Sequence, residues 1–560
     1  MMNGGLATLL QTGLALHQQG RLAQAKACYE RILATDPAHA DTLHLLGALE
    51  AQTGQFEKAV DCLEKALQRA PQHPVIWCNL GFAFQGLGRF DAAIASYDRA
   101  LAIQPDYAQA CINRGNALQQ FGRLEEAIAS YDRAIRIKPD FAEAFHNRGV
   151  VLKELGRFDL AITSFDTAVA LNPANAEAFY ARGTTLQELG RLSEAISSFD
   201  RAIALKPDHG DACFGRGIAL RALKRLDEAI ANYDRAIALK PDPADALNNR
   251  ALALQALKRL DEALANCDQA IAIRPDHAEA FNTRGNVLLE LQRLDDAVAS
   301  YDKAIACKPD FAEALYNRGI ALKSLKRPVE AVRTFAAALE VKPDLEFLRC
   351  QWLNGQMMLC DWRNLSAEIS RLAADVASGS SLITPFLLLG LVDDPRLQHL
   401  ASTNYANAKH PTQPFVAGGP HRGAGGKIRI GYYSADFHNH ATAYLIAELL
   451  ERHDREQFEI FGFSYGASAS DEMRARISAG VDHFIDVTAR TDSEVARMSR
   501  DLGIDIAVDL KGFTQGARTG LFAERCAPVQ VNFLGYPGTM GTPCIDYVIA
   551  DEVVIPRGSR

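Results

Sequence analysis

From about residue 6 to residue 345, apolar positions recur with helical spacing in pairs of short segments, each pair parted by a polar turn. One complete unit, residues 108–141, reads AQACINRGNALQQFGRLEEAIASYDRAIRIKPDF. It predicts two helices joined at Gly122-Arg123, the second ended by Pro139. Beyond residue 426 the period changes. KIRIGYYSAD, FEIFGFSYG, IDIAVDLKGF, VQVNFLGYPGT and DYVIADEVVI read as strands, while ATAYLIAELLERHD and DSEVARMSRDLG read as helices. Strands alternating with helices predict a parallel, doubly wound sheet with its ligand crevice beyond the carboxyl ends of the strands.

The repeat has a period of 34 residues. Glycine stands at 13, 47, 81, 115, 149, 183, 217, 285 and 319, with Ala251 in the remaining place, and proline stands at every step from 37 to 343. Small residues mark close helix approach: Gly115 on the first helix of its unit, Ala127 and Ala134 on the second. One such pair cannot bury its own apolar face, so neighbouring pairs must stack. The spacing resembles the tetratricopeptide repeat, in ten copies, and implies an all-α solenoid over 6–345. The segment 346–408 is helical but out of register and reads as a cap and connector, with Trp352 and Trp362 expected to cover the apolar end of the array. Residues 409–426, rich in Pro and Gly, read as a linker, and 427–560 as an α/β Rossmann-like lobe.

Two polar series run through the repeats. Asparagine lies two residues before the repeat glycine at Asn79, Asn113, Asn147, Asn249 and Asn317, interrupted by Leu45, Ala181, Gly215 and Thr283. Amides aligned on one face would hold an extended peptide backbone, each bond adding about 0.5–1.5 kcal/mol; the alternative is a polar position copied by duplication. Arginine directly precedes the glycine at 114, 148, 182, 216, 250, 284 and 318. Pairing with regular aspartates of the repeats, such as Asp132 and Asp140, competes there with a phosphate-binding row, and pairing is the better reading.

Composition narrows the function classes. A net charge of −8 without a dense Lys/Arg block gives no support for nucleic-acid binding. No run of about 18 apolar residues predicts a membrane span, and the N-terminus lacks the basic region of a signal peptide. The 11 cysteines are scattered, with no CxxC pair, and read as reduced thiols of a cytoplasmic protein.

Three turns are expected at the carboxyl edge of the sheet: YSADFHNH, KGFTQGAR and GYPGTMG. His438, His440 and Asp436 offer a metal-ligand reading, a structural helix-start reading, and a neutral imidazole at a helix N-terminus able to handle a proton or an anion. The stretches GYYSADFHNHATAYL and DLKGFTQGARTGLFAERCAPVQVNFLGYPGTMGTPCIDYVIADE, placed behind the repeats and the CDW at 360–362, resemble the protein O-GlcNAc transferase family. The resemblance implies that 427–560 is the N-terminal half of a GT-B catalytic region. It assigns His440 to the family's active-site histidine, with Ala441 where proline is usual. It sets Lys511, Gly512, Phe513 and Thr514, and Gly535, Tyr536, Pro537, Gly538 and Thr539, along the cleft, and the asparagine series along a protein-substrate groove. Asp505 stands where animal members often carry histidine, which marks the bacterial branch and gives Asp505 no role as a base.

The implied reaction moves N-acetylglucosamine from a UDP-sugar donor to a Ser or Thr hydroxyl of a bound protein, without a cofactor or metal. A base removes the hydroxyl proton while charge grows on the departing diphosphate. The family continues into a second, nucleotide-binding lobe, absent from these 560 residues. A product ending there is expected to bind peptides with negligible transfer. Protein O-fucosyl transfer and a non-catalytic tetratricopeptide adaptor are the competing expectations.

Overall fold

The unit at 108–141 folds as two helices, Ala108–Gln120 and Leu124–Ile137. Gly122 makes the turn at φ +80°, a left-handed conformation that glycine adopts without a Cβ penalty. Gly115 lies against the ring of Tyr131: a Cβ there would come 2.5 Å from Cε1, so the glycine sets how closely the helices pack. The same pairing, glycine with the residue sixteen positions on, joins Gly81 to Tyr97, Gly149 to Phe165, Gly183 to Phe199, Gly285 to Tyr301 and Gly319 to Phe335. Where Ala251 replaces the glycine, the residue sixteen on is Cys267 and not an aromatic. In the later units the turn glycine gives way to Lys224, Lys258, Gln292 and Lys326, all with φ between 57° and 62°. Side chains are strained there. Lys326→Gly is expected to raise stability by about 0.5–1 kcal/mol, read as a higher urea midpoint.

The computed structural model describes residues 2–379, 382–414, 426–466, 470–536 and 538–550, with side chains from residue 6. The chain divides into two compact units, Met1–Leu257 and Lys258–Arg560. The first is a stack of helices from Met2–Gln18 to Ala244–Ala256. Its interior holds Ala127 and Ala134 with the rings of Tyr97, Tyr131, Phe165 and Phe199. The second begins with Leu260–Ile273 and two further hairpins, followed by helices Leu348–Met358, Leu365–Ser378, Pro385–Leu389 and Pro395–Lys409. Trp352 packs both against the last repeats and against the helices that follow. Trp362 does not cover the array: it is 56% exposed, because it falls in the turn before Leu365–Ser378. Most of the 409–426 segment lies outside the described residues.

The arginine series is settled by geometry. Each arginine reaches back to the aspartate of the preceding second helix: Arg114 to Asp98, Arg148 to Asp132 and Arg182 to Asp166 in the first unit, Arg284 to Asp268 and Arg318 to Asp302 in the second, all at 2.6–2.7 Å. In these five a further nitrogen donates to a hydroxyl of the second helix of the same repeat, as from Arg114 to Ser130 at 2.6 Å. The pairing therefore falls on Asp132 and its counterparts; Asp140, one residue past the repeat proline, is in no such pair among the described residues.

The second unit closes with a parallel sheet of β1 (Ile428–Ser434), β2 (Phe458–Ser464), β3 (His483–Asp486), β4 (Ile506–Asp509), β5 (Val529–Phe533) and β6 (Tyr547–Ile549), in the order β3-β2-β1-β4-β5-β6. Apolar side chains leave both faces. Ile430, Tyr432, Ile460 and Val508 meet helices Ala441–Glu451 and Glu472–Ala479 through Ile446, Leu450 and Met473. Tyr433, Phe461, Phe463 and Ala507 meet Asp492–Asp501 and Thr519–Ala523 through Val495 and Phe522. Burial on both faces explains why these strands read as continuous apolar runs. The sheet is doubly wound as expected. It has one more strand than the pattern predicts, since β3 is a four-residue edge strand, His-Phe-Ile-Asp, too short to show a period.

Candidate active site

The order of strands reverses between β1 and β4, which pair in register from Ile430 with Ile506 to Tyr433 with Asp509. A crevice opens at such a switch point because the connections leave in opposite directions. Both turns that meet there carry ionisable groups.

The turn after β1 delivers Asp436 and His440. Asp436 is held by its own N–H, which donates to Ser434 Oγ at 2.9 Å, and by its carbonyl, which accepts from His438 N at 2.8 Å. Asn439 N donates to Asp471 Oδ2 at 2.9 Å and ties the turn to the start of the next helix. His440 occupies the N-cap of Ala441–Glu451 with extended backbone, and its Nδ1 accepts from Thr442 N at 3.2 Å. Helix capping by the imidazole satisfies an otherwise unpaired N–H. The side chain stays 44% exposed. Asp436 Oδ2 lies 3.5 Å from the same Nδ1.

The turn after β4 delivers Lys511. Its Nζ donates to Asp436 Oδ2 at 2.7 Å, and both side chains are buried. Beneath it, Asp509 is buried and its carboxylate accepts from Lys511 N at 2.9 Å. Burial pushes the Asp509 carboxyl up to about 6, against the pull of the Lys511 and Gly512 N–H groups, Asn532 and the Lys511 charge. The buried Tyr465 hydroxyl has no hydrogen-bond partner among the described residues. Lys511 thus binds Asp436 through its ammonium and Asp509 through its backbone N–H.

Other expected residues are less open. Thr514 Oγ1 donates to Lys511 O at 2.9 Å, closing its own turn. Gly535 presses on the Leu510 carbonyl, where any side chain would collide with backbone. Tyr536 is buried with Ala406, Phe513 and Met540. Burial pushes its phenol up to about 12. Gly538 sits beside the Tyr536 hydroxyl, and Thr539 Oγ1 lies 3.4 Å from His399 Nδ1. Pro537 lies outside the described residues. Asp505 sits before β4, at the opposite edge from His440, where its carboxylate accepts from Arg429 N at 2.8 Å. Among the described residues no three His, Cys, Asp or Glu side chains converge as metal ligands, and no helix is long and apolar enough to cross a membrane. The ion pair of Asp436 and Lys511 left no sequence signal, because 75 positions separate its members.

The asparagines are half-buried, and their Nδ2 groups are already engaged. Asn79 donates to His44 Nε2 at 2.9 Å, Asn113 to Cys78 Sγ at 3.5 Å, Asn147 to Asn116 Oδ1 at 3.0 Å and Asn249 to Asp245 O at 2.9 Å. In the second unit Asn317 donates to Asn282 Oδ1 at 3.1 Å. Each Nδ2 carries a second N–H beyond the one used here, and Asn113 Oδ1 already accepts from Gln109 Nε2 at 3.1 Å. The His44 contact has a consequence. Burial, with His73 beside it, pushes the His44 imidazole down to about 4. An unfolded chain takes up this proton near 6.5, so the neutral ring's contribution is complete above that pH and is lost as pH falls from 6.5 through 4. The loss is about 3 kcal/mol. Hydrogen exchange in Ala40–Gln52 is expected to accelerate over that window, and His44→Gln to flatten the dependence.

Residues 408–559 match the family "Glycosyl transferase family 41", and tetratricopeptide-repeat families match segments between 12 and 345. The chain is 35% identical over 213 residues to the probable UDP-N-acetylglucosamine–peptide N-acetylglucosaminyltransferase SEC of Arabidopsis thaliana, over 35% of this chain and 22% of that one. It is 37% identical over 133 residues to the UDP-N-acetylglucosamine–peptide N-acetylglucosaminyltransferase of Caenorhabditis elegans, over 24% and 12% of the two chains. A solved mutant of the Thermobaculum terrenum O-GlcNAc transferase aligns at 27% identity and a TM-score of 0.38, covering 57% of this chain and 56% of that one. The matches span about a fifth or less of the length of these curated relatives.

Proposed function

We propose that this chain, which joins tetratricopeptide repeats to a glycosyl transferase family 41 segment, belongs to a cytoplasmic protein O-linked N-acetylglucosaminyltransferase. The observation that carries the reading is the exposed His440 imidazole at the switch point, inside the matched segment. A Ser or Thr hydroxyl brought to Nε2 loses its proton there as it attacks the anomeric carbon of UDP-N-acetylglucosamine. The charge that develops on the diphosphate is met by N–H dipoles and cationic side chains, without a metal. The asparagine amides donate to and accept from the backbone of an extended substrate, which makes recognition tolerant of sequence. Names of the curated relatives support the donor and the protein acceptor.

The test uses the full-length gene product, incubated with acceptor proteins and labelled UDP-N-acetylglucosamine or GDP-fucose. Labelling from the first donor, abolished in His440→Ala, is the expected result. Labelling that survives the substitution removes His440 from the chemistry, and labelling from GDP-fucose alone replaces the donor. Acceptor capture with no labelling from either donor makes the protein an adaptor.

A further inference from the structure

We infer that Asp436 and Lys511 are positioning residues that select the tautomer of His440. This rests on the reading of His440 as the base. Two groups compete for Nδ1: Thr442 N–H, which donates to it at 3.2 Å, and Asp436 Oδ2, which stands 3.5 Å away as an acceptor. One nitrogen serves one of them at a time. While Nδ1 accepts from Thr442, the neutral ring carries its proton on Nε2 and has no lone pair to offer a substrate hydroxyl. When Nδ1 carries the proton and donates to Asp436, Nε2 is the free base.

Asp436 is built for the second state. Lys511 Nζ donates to the same oxygen at 2.7 Å and fixes it in place. Thr442 Oγ1 donates to that oxygen at 3.5 Å, so the helix start and the carboxylate move as one. The His438 ring, 5.7 Å from that of His440, is the neighbouring titratable group on the same turn. A carboxylate needed for stability alone would be satisfied by Lys511, with no histidine directed at it. A substrate hydroxyl arriving at Nε2 favours the Nδ1–H form, because only that form accepts its proton. Proton transfer then gives a singly charged imidazolium with one proton on each nitrogen, its Nδ1–H facing Asp436.

The experiment is long-range proton–nitrogen correlation of the imidazoles in the intact, nitrogen-15-labelled chain, with His440 assigned by His440→Gln. A measurable share of Nδ1–H at His440 is expected in the wild type. In Asp436→Asn, which keeps the shape and removes the charge, that share falls about tenfold relative to Nε2–H, the difference between a charge-assisted and a neutral hydrogen bond. A folded Asp436→Asn with an unchanged ratio overturns the inference. If that variant does not fold, the wild-type spectrum decides by itself, since a His440 wholly in the Nε2–H form overturns it as well. The measurement involves no transfer. A tautomer shift combined with transfer that survives His440→Ala would keep the inference and discard the base role, and the reverse pattern would discard only the inference. In the active full-length protein, Asp436→Asn is expected to lower kcat and leave KM for the donor unchanged.

Discussion

Lys511→Met costs about 3–5 kcal/mol of stability and is expected to unfold the α/β part of the second unit at moderate urea. The substitution keeps the aliphatic length and removes the charge, so packing changes little. What remains is the Asp436 carboxylate, buried and stripped of the ammonium that stood 2.7 Å away, with Asp509 close beneath. An unpaired buried charge is costly because the interior screens it poorly and water cannot reach it. Acid supplies the missing proton, so the loss is expected to be largest at neutral pH and smaller in acid. The double variant Asp436→Asn with Lys511→Met should recover most of the stability, since replacing both partners removes the stranded charge. Urea melts of the single and double variants at two pH values measure this. A single variant as stable as the wild type would mean that the pair is hydrated and carries no structural weight.

The second large effect lies in the repeats. Tyr131→Ala is expected to cost about 3–5 kcal/mol through the lost ring and the cavity left beside Gly115. It also removes the hydrogen bond from Tyr131 Oη to Asn116 Oδ1 at 2.7 Å. Gly115→Ala by itself costs about 1–3 kcal/mol, because its Cβ would stand 2.5 Å from the ring. Once the ring is gone the new methyl has room, so the double variant should be more stable than the sum of the single losses predicts. Strictly additive losses would mean that the two positions do not set the helix spacing. Hydrogen exchange in Leu124–Ile137 reads the effect locally, which suits a stack whose repeats open one at a time.

How much of this was legible in the amino-acid order differs between the two kinds of structure. A repeat writes the same local problem ten times, so the glycines, the prolines and the arginine–aspartate pairing show themselves as periods, and most of their partners lie within sixteen residues. The inner strands of the sheet were legible because burial on both faces demands apolar runs, and the exposed edge strand β6 because Tyr547, Val548 and Ile549 are β-formers; the edge strand β3, His-Phe-Ile-Asp, has polar ends and gives no such run. His440 was legible as a helix start beside an acidic turn. Its surroundings were not. Lys511 comes from a turn 75 positions after Asp436, and only the adjacency of β1 and β4 places the two together. The exposure of Trp362 was not legible for a related reason: whether a ring faces a core or water depends on which helix arrives over it, as Pro395–Lys409 does over Tyr536 through Ala406. Short-range spacing determined the helices, the repeat and the alternation of strand and helix, since these are set by contacts between residues near one another in the chain. The tertiary structure alone decided which charges share a buried site, because electrostatic neighbours are chosen by strand order and the sequence carries no local trace of that choice.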